Sequence, residues 1–497
     1  MRRVAVIGAG AAGLAAARRL MASFDVVVFE RSSKAGGTWN FTMDQSDAVH
    51  SSMYRDLHTN LPKQIMAFPE FEFTQGKETF VHHTDVQAYL EAFAAHYGIN
   101  AITRFRTQVV RVAHTSNSKG SKGSNSSSSS SSSSNGSRDA GDGSSLGDEE
   151  ADSAPLSGEA LMEKDGAWAV RVESLETGET EDLTFDAVVV CNGHYAKPIM
   201  PSIPGLDRFQ GEVLHSHTYR MPEPFAGKRV VCLGGGQSGR DISQELCAVS
   251  NAVTLSHYDP ERRLGEPPLV EKPPIKAVAE DGSIVFEDGS STAADTLILC
   301  TGYAFSFPFL DEASCGVQVV DDGRIVDNVY RQVFNIAHPT MTFIGLPVKV
   351  LPFPLFDLQC QWVHAVWAGA KSLPSRLEMH AEVAAAREQR RRLAVPRRHE
   401  HVLGGTQWEY NRELARLAGV SPLEPWREEV YLKNNELRAN MPWQYKLNTF
   451  HVAKDGSWTV DVVDKPSTKQ QQQQQQQQGG AEGCAEVHDG AVVHQTA

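Results

Sequence analysis

The chain has 497 residues, 41% of them hydrophobic, enough for a sizeable core and, by length, for roughly three domains. Its net charge is −14, and basic residues gather only in REQRRR and PRRH near 387–399. That pattern excludes a general nucleic-acid binder, which needs a basic face for phosphates, and the basic run reads as one solvated helix face. No run of eighteen apolar residues occurs, so no segment is expected to span a membrane. Met1-Arg-Arg leads straight into an apolar strand with no signal-peptide pattern. Seven cysteines, at 191, 232, 247, 300, 315, 360 and 484, are odd in number and form no C-x-x-C. They read as reduced packing thiols of a cytoplasmic protein.

In chain order, VAVIGAGAAGLAAARRL (4–20) gives a buried strand, a glycine turn and a helix, and DVVVFE (25–30) gives the next strand. Gly8, Gly10 and Gly13 make G-x-G-x-x-G. The first glycine permits the tight turn, the second lets a pyrophosphate approach the backbone, and the third lets helix and strand pack closely. Ala9, Ala11 and Ala12 complete the turn. Glu30 ends the second strand, where a carboxylate can accept ribose hydroxyls; an acid there suits FAD or NAD rather than NADP.

FRTQVVRVAH (105–114) and GAWAVRVESL (166–175) alternate apolar and polar residues, as half-buried antiparallel strands do. Between them lies a Ser/Gly/Asp-rich stretch with an unbroken serine run, Ser126 to Ser134. It reads as an overgrown hairpin loop, too poor in apolar residues to order itself. The polar tail from about 465, with glutamine from Gln470 to Gln478, reads the same way.

RVVCLGGGQSGRDISQELC (229–247) repeats strand, glycine turn and helix, followed by AVTLS (252–256). The second glycine set is Gly234, Gly236 and Gly239, with Gly235, Gln237, Ser238 and Asp241 in the turn and first helical turn. Ser256 and His257 end its second strand, with Asp259, Arg262 and Arg263 beyond. A neutral or basic end admits a 2′-phosphate, so this turn favours NADPH over NADH, although Asp259 works against it. Two such turns imply two dinucleotides and a hydride relay from nicotinamide to flavin. With no C-x-x-C pair to receive the electrons, oxygen is the acceptor that remains.

FQGEVLHSHTYR (209–220) holds Phe209, Gly211, His215 and Tyr219 in the register F-x-G-x-x-x-H-x-x-x-Y, just before the second glycine turn. This resembles the signature of flavin-containing monooxygenases. KAGGTW (34–39), LHTNLPKQIMAFPEFEF (57–73) and LILCTGY (297–303) are similar to segments of that family. VVVCNGHYAKPIMPSIPGL (188–206) and PFPLFDLQCQWVHAVWAG (352–369) resemble most its plant-type S-oxygenating branch. The resemblance covers about 1–113 and 160–450. There are two departures. The second glycine motif is complete here, where that branch often has it modified, and the family's arginine after the second NADP strand has no counterpart at His257.

The resemblance implies an α/β fold with two dinucleotide-binding, Rossmann-like domains, the NADPH domain inserted into the FAD domain. The expected division is 1–113 and 161–220 (FAD domain and linker), 221–300 (NADPH domain), 301–463 (FAD domain again), with disordered segments at 114–160 and 464–497. It also implies a monooxygenase in which NADPH reduces FAD and the flavin takes up O2 as a C4a-hydroperoxide. That species oxygenates a thioether sulfur or amine nitrogen of a small molecule. By the same resemblance FAD contacts include Gly37, Thr38, Trp39, Asn60 and Leu61, and NADP contacts include Thr59 and Asn60. Asn60, by local chemistry a turn former before Leu-Pro, is then the catalytic amide. It would steady peroxide or nicotinamide without offering an acidic proton. His215 and Tyr219 brace the cofactor cleft, and His217, outside the pattern, reads as a surface residue. No metal site is expected. The alternatives are Baeyer–Villiger oxygenation, whose motif typically ends in Trp where Tyr219 stands, auxin-type oxidative decarboxylation, and a non-oxygenating NADPH oxidase or regulatory flavoprotein.

Overall fold

The computed structural model describes residues 1–44, 51–115, 154–259, 264–265 and 268–463. The serine run, the glutamine run, Arg262, Arg263 and Cys484 lie outside the described residues.

The β-branched run RVAVI forms the strand Arg3–Ile7 in the interior of a seven-stranded sheet. It pairs in parallel with Asp25–Phe29 on one side and Ala187–Val190 on the other, and Met341–Phe343 lies parallel beyond the latter. Such strands are covered on both faces, so they read as nearly continuous apolar runs. One face carries the helix Ala11–Leu20, whose alanines let it seat closely, and the helix Pro352–Trp367 packs against it. Asp357, wholly buried on the latter, takes a two-pronged ion pair from Arg19 (2.8 and 2.6 Å). Charge-assisted bonds of this geometry are among the stronger ones.

The second sheet has five parallel strands in the order Glu212–His215, Thr296–Leu299, Arg229–Leu233, Ala252–Ser256, Val270–Lys272. All fall in sequence between Ala187–Val190 and Met341–Phe343, which are neighbours in the first sheet. The second α/β unit is therefore nested inside the first. The segment expected as a linker is itself an edge strand of the second sheet. Burial along its EVLH rises from the exposed Glu212 and Val213 to the buried His215.

The antiparallel pair anticipated from sequence is present. Thr107–Thr115 pairs with Ala167–Ser174, Thr115 opposite Ala167. The stretch expected to be disordered up to 160 includes residues with defined structure at its end. Leu156–Ser157 pairs with Ser372–Leu373, and Gly158–Lys164 is a helix with Leu161 and Met162 buried. PLSGEALM has the apolar residues that the serine-rich composition lacks.

Candidate functional site

The two glycine turns have the same internal logic. A Cβ on Gly8 would stand 2.6 Å from the Cys191 carbonyl oxygen, and one on Gly13 would stand 1.8 Å from the Gly8 oxygen. Their counterparts collide in the same way: Gly234 at 2.4 Å from Cys300 O, Gly239 at 1.7 Å from Gly234 O. Gly8 (φ +101°) and Gly234 (φ +122°) also need the left-handed backbone. The middle glycines differ. A Cβ on Gly10 would come no closer than 3.5 Å to any protein atom, and one on Gly236 would meet nothing within 4 Å. Protein packing does not require glycine there. A group lying on the backbone would.

Gly10 and Gly236 are the N-caps of the helices Ala11–Leu20 and Gln237–Leu246. Neither helix start has a side-chain cap or an acid in its first turn. The free N–H groups and the positive end of the helix dipole are left for an anion. Facing Gly10, Gly37 (φ +58°) opens the short turn Gly37–Trp39; a Cβ on Gly37 would press to 2.9 Å on Gly10 Cα. Ala11 and Ala12 are buried beside the turn. Thr38 Oγ1 lies 3.4 Å from Ser52 Oγ, and Trp39 packs on the core beneath. Glu30 is buried. Its Oε2 accepts the Ala9 N–H (2.7 Å) and its Oε1 accepts that of Ser32 (2.8 Å), so the carboxylate also fixes the turn.

The residues at the second strand end have partners within the fold. Ser256 donates to Pro273 O (2.8 Å), and the buried His257 ring pairs with Glu271 Oε2 (2.8 Å). Glu271 also accepts the N–H groups of Leu264 and Gly265. Ser256 and His257 are both engaged within the fold, the serine by a backbone carbonyl and the histidine by an acid from the next strand. Of the turn itself, Gly235 sits against His257 and Leu264, and Ser238 is half-buried. Gln237 donates to Asp241 Oδ1 (2.8 Å), and its own oxygen is buried without a partner among the described residues. Asp241 Oδ2 accepts from Tyr54 OH (3.2 Å) and Lys446 Nζ (3.3 Å). Its carboxylate therefore faces the contact between the two units.

Asn60 belongs to the loop crossing that contact. Its carbonyl accepts from Asn434 Nδ2 (3.2 Å), while its half-buried amide side chain makes no hydrogen bond among the described residues. Thr59 is buried, its N–H held by Val81 O (2.9 Å) and its hydroxyl without a partner among the described residues. Leu61 packs between two core clusters.

The signature residues knit the second unit to this loop. Phe209 is buried in its core, and a Cβ on Gly211 would stand 2.4 Å from Asp295 O. His215 is fixed as one neutral tautomer: Nδ1 accepts the His217 N–H (3.0 Å), so Nε2 donates to Gly302 O (3.2 Å). Burial, with His217 nearby, pushes its pKa down to about 4. Tyr219 OH donates to Glu245 Oε2 (2.6 Å), and its ring lies against Tyr54 and Phe225. His217 is not a surface residue; it is half-buried with its ring edge on Tyr303.

Sequence reasoning missed several residues. Arg220, 3% exposed, donates to the carbonyls of His217 (2.7 Å), Tyr219 (3.0 Å), Asp44 (3.1 Å), Ser51 (3.2 Å) and Met53 (3.5 Å). Its place directly after the signature tyrosine is the signal that could have found it. Tyr54, Glu245 and Lys446 carry no local signal, because only the fold brings them together. A separate cluster, His114, Asp165 and His338, has ligand-type atoms within 4.8 Å of one another. Its two imidazoles stack at 3.7 Å, and Asp165 is already bonded by Thr340 (2.6 Å) and Arg376 (3.4 Å). It clasps the base of the hairpin.

The six described cysteines are unpaired, and no helix among the described residues is long and apolar enough to cross a membrane. Residues 1–133, 158–263 and 268–445 match the family described as Flavin-binding monooxygenase-like. The chain is 35% identical over 466 residues to Flavin-containing monooxygenase FMO GS-OX-like 5 of Arabidopsis thaliana, covering 89% of this chain and 93% of that one. Among solved structures it resembles S-allyl-L-cysteine S-oxygenase from Allium sativum, with 32% identity, TM-score 0.76, and coverage of 97% and 99%. Its fold also matches Tmm from a Pelagibacter species, with 22% identity, TM-score 0.72, and coverage of 93% and 96%. The chain belongs to the flavin-binding monooxygenase-like family and is an FAD- and NADPH-dependent monooxygenase.

Proposed function

We propose that this enzyme oxygenates the thioether sulfur of a small molecule, with FAD on the first glycine turn and NADPH on the second. The observation that carries the placement is the pair of middle glycines, Gly10 and Gly236, where a Cβ would meet at most ordinary contact while the flanking glycines of each motif are locked by packing. The sulfur preference is supported by the likeness to an S-allyl-L-cysteine S-oxygenase over nearly the whole chain. Amine nitrogen, an equally soft nucleophile, is the second acceptor to test.

When bound, FAD supplies oxygen activation and NADPH supplies the hydride. The chain's own residues hold and shield them. Gly8, Ala9, Gly10, Ala11, Ala12 and Gly13 cradle the first pyrophosphate, Glu30 orients its ribose, and Gly37, Thr38 and Trp39 close over it. Gly234, Gly235, Gly236, Gln237, Ser238 and Gly239 do the same for NADPH. Asp241 supports them from below, since its carboxylate is bonded to Gln237, Tyr54 and Lys446. Thr59, Asn60 and Leu61 run between the two. The free amide of Asn60 can donate to an oxygen gaining charge without being acidic enough to protonate it, and the surrounding loop keeps water away. Within this reading the FAD unit takes 1–113, 161–220 and 301–463, and the NADPH unit takes 221–300 with the edge strand Glu212–His215 added. Unpaired cysteines support a reducing, cytoplasmic setting.

The test is product analysis on a thioether, a tertiary amine, a cyclic ketone and indole-3-pyruvate, each with NADPH consumption followed in parallel. Sulfoxide formed in proportion to NADPH supports the proposal. Lactone, or a decarboxylated acid, formed in preference would replace it with one of the rival oxygenations.

A further inference from the structure

Beyond the glycine turns, the C-terminal segment does something that neither turn explains. The helix Pro425–Asn440 passes the loop carrying Asn60, and the chain beyond it reaches the second unit at Trp443 and Lys446. Three contacts mark that path. Asn434 donates to the Asn60 carbonyl (3.2 Å). Trp443 fills the space over Gly265, where a Cβ would meet its ring at 2.5 Å. Lys446, its side chain 23% exposed, donates at once to the His58 carbonyl (3.2 Å) and to Asp241 Oδ2 (3.3 Å).

We infer that Lys446 is a positioning residue: its single ammonium ties the loop that presents Asn60 to the helix that receives NADPH. This rests on the site assignments proposed above. Two physical consequences follow. Asp241 opens the second turn of a helix whose N-terminus would hold a pyrophosphate, and an uncompensated carboxylate there would oppose the anion. Lys446 supplies the compensation. Burial alone would lower the ammonium's pKa, but Asp241 and Tyr445 outweigh it and hold it above the usual lysine value. The ammonium therefore stays charged through the working pH range. Second, the carbonyls of residues 58 and 60 are both gripped from the C-terminal segment, which fixes the loop on either side of Thr59. Release of one grip lets the amide of Asn60 drift, and small misplacements at a reacting centre are costly.

The experiment compares full-length wild type with Lys446→Met, Lys446→Arg, Asp241→Asn/Lys446→Met and Asn60→Ala. It reads flavin content, the KM for NADPH, sulfoxide formed per NADPH consumed, and melting temperature. Lys446→Met is expected to keep its flavin, raise the KM for NADPH about tenfold, and cut product per NADPH about fivefold. Lys446→Arg should recover at least half of each. The double variant, with no orphan charge, should regain the KM but not the coupling, because the His58 carbonyl remains ungripped. Unchanged KM and coupling in Lys446→Met would overturn the inference. So would losses that neither Lys446→Arg nor the double variant repairs, since those would mark a merely structural residue. If Lys446→Met fails to fold, the arginine and double variants decide by the same criteria. Full coupling in Asn60→Ala would overturn the site reading instead. A raised KM in Lys446→Met that the double variant restores would still uphold the link to the NADPH helix.

Discussion

The first and second glycine turns share a motif but are set in different surroundings. The first helix, AAGLAAARRL, is buried along most of its length between the sheet and the helix Pro352–Trp367. The second, QSGRDISQEL, buries only Gly239, Ile242, Ser243 and Leu246. Its polar side carries Asp241 and Glu245 to Tyr54, Tyr219 and Lys446. One turn is built into a core; the other is attached through hydrogen bonds and ion pairs, the character of an interface between domains. A cofactor that stays bound suits the first setting, and one that must enter and leave suits the second.

The largest effect should come from exchanging the two middle glycines. Gly10→Ala leaves the fold intact, because no protein atom lies within 3.5 Å of the new methyl, but the methyl occupies the approach of the FAD pyrophosphate. The purified variant should be colourless. Gly236→Ala should purify with a full complement of flavin and show a KM for NADPH raised about tenfold or more. Flavin absorbance and steady-state NADPH oxidation check both. Stoichiometric flavin in Gly10→Ala would remove the distinction between the turns.

A smaller effect tests the loop between them. Asn60→Ala and Asn60→Asp should both bind FAD and still oxidise NADPH, since neither glycine turn is touched. Both should release H2O2 in place of product. The aspartate should be at least as uncoupled as the alanine, because a carboxylate beside an oxygen gaining charge is repelled in a partly dry site. The ratio of sulfoxide to NADPH measures this. Unchanged coupling in both returns Asn60 to the role of a turn residue.

Much of this arrangement was legible in the sequence, for identifiable reasons. Both glycine turns are local: strand, turn and helix lie within twenty residues, so Gly8 to Gly13 and Gly234 to Gly239 could be placed with their partners. The pairing of Thr107–Thr115 with Ala167–Ser174 was legible because alternation survives any length of insert. What could not be read was long-range and polar. Lys446 lies 205 residues from Asp241, and Tyr54 lies 187 from it. The pairing of His257 was not legible for a related reason: Glu271, its partner, comes from a different strand. His217 was misplaced because its burial depends on Tyr303.

The polar attachment of the second unit should also show in the pH dependence of stability. Burial raises the pKa of Glu245 to about 7, and the neighbouring Asp56 adds to the shift. The folded protein thus holds a proton that the unfolded chain releases near 4.5. The stabilisation is fully present below that ordinary value and is lost as pH rises through about 7. Partial solvent access limits the change to about 1–2 kcal/mol. Glu245→Gln keeps an acceptor for Tyr219 OH and removes the titration, so its melting temperature should vary less between pH 5 and pH 8 than that of wild type, by about 2–4 °C. Identical profiles would show that the contact between the units does not hold this proton.

The smallest effect should come from the hairpin insert, which belongs to neither turn. Residues 118–152 offer only Ala140, Leu146 and Ala151 as apolar groups, too little to stabilise any packing. Their removal, and separately that of everything after 465, should leave flavin content, turnover and melting temperature within error of wild type. Loop closure varies slowly with length, so shortening the connection cannot by itself cost much. The boundary matters, however. A deletion carried on through 164 would take away the strand Leu156–Ser157, which pairs with Ser372–Leu373, and with it Leu161 and Met162, 3% and 4% exposed. It would also remove Gly158, whose missing side chain lets the backbone lie against the Val366 carbonyl. Loss of two buried side chains of this size costs several kcal/mol. The helix they cover, Pro352–Trp367, is the one that supports the first glycine helix. The longer deletion should therefore lower the melting temperature sharply and loosen FAD before it affects NADPH, the order that the contrast between the two turns requires. Loss of NADPH binding first, with FAD retained, would place the support of the hairpin on the wrong unit.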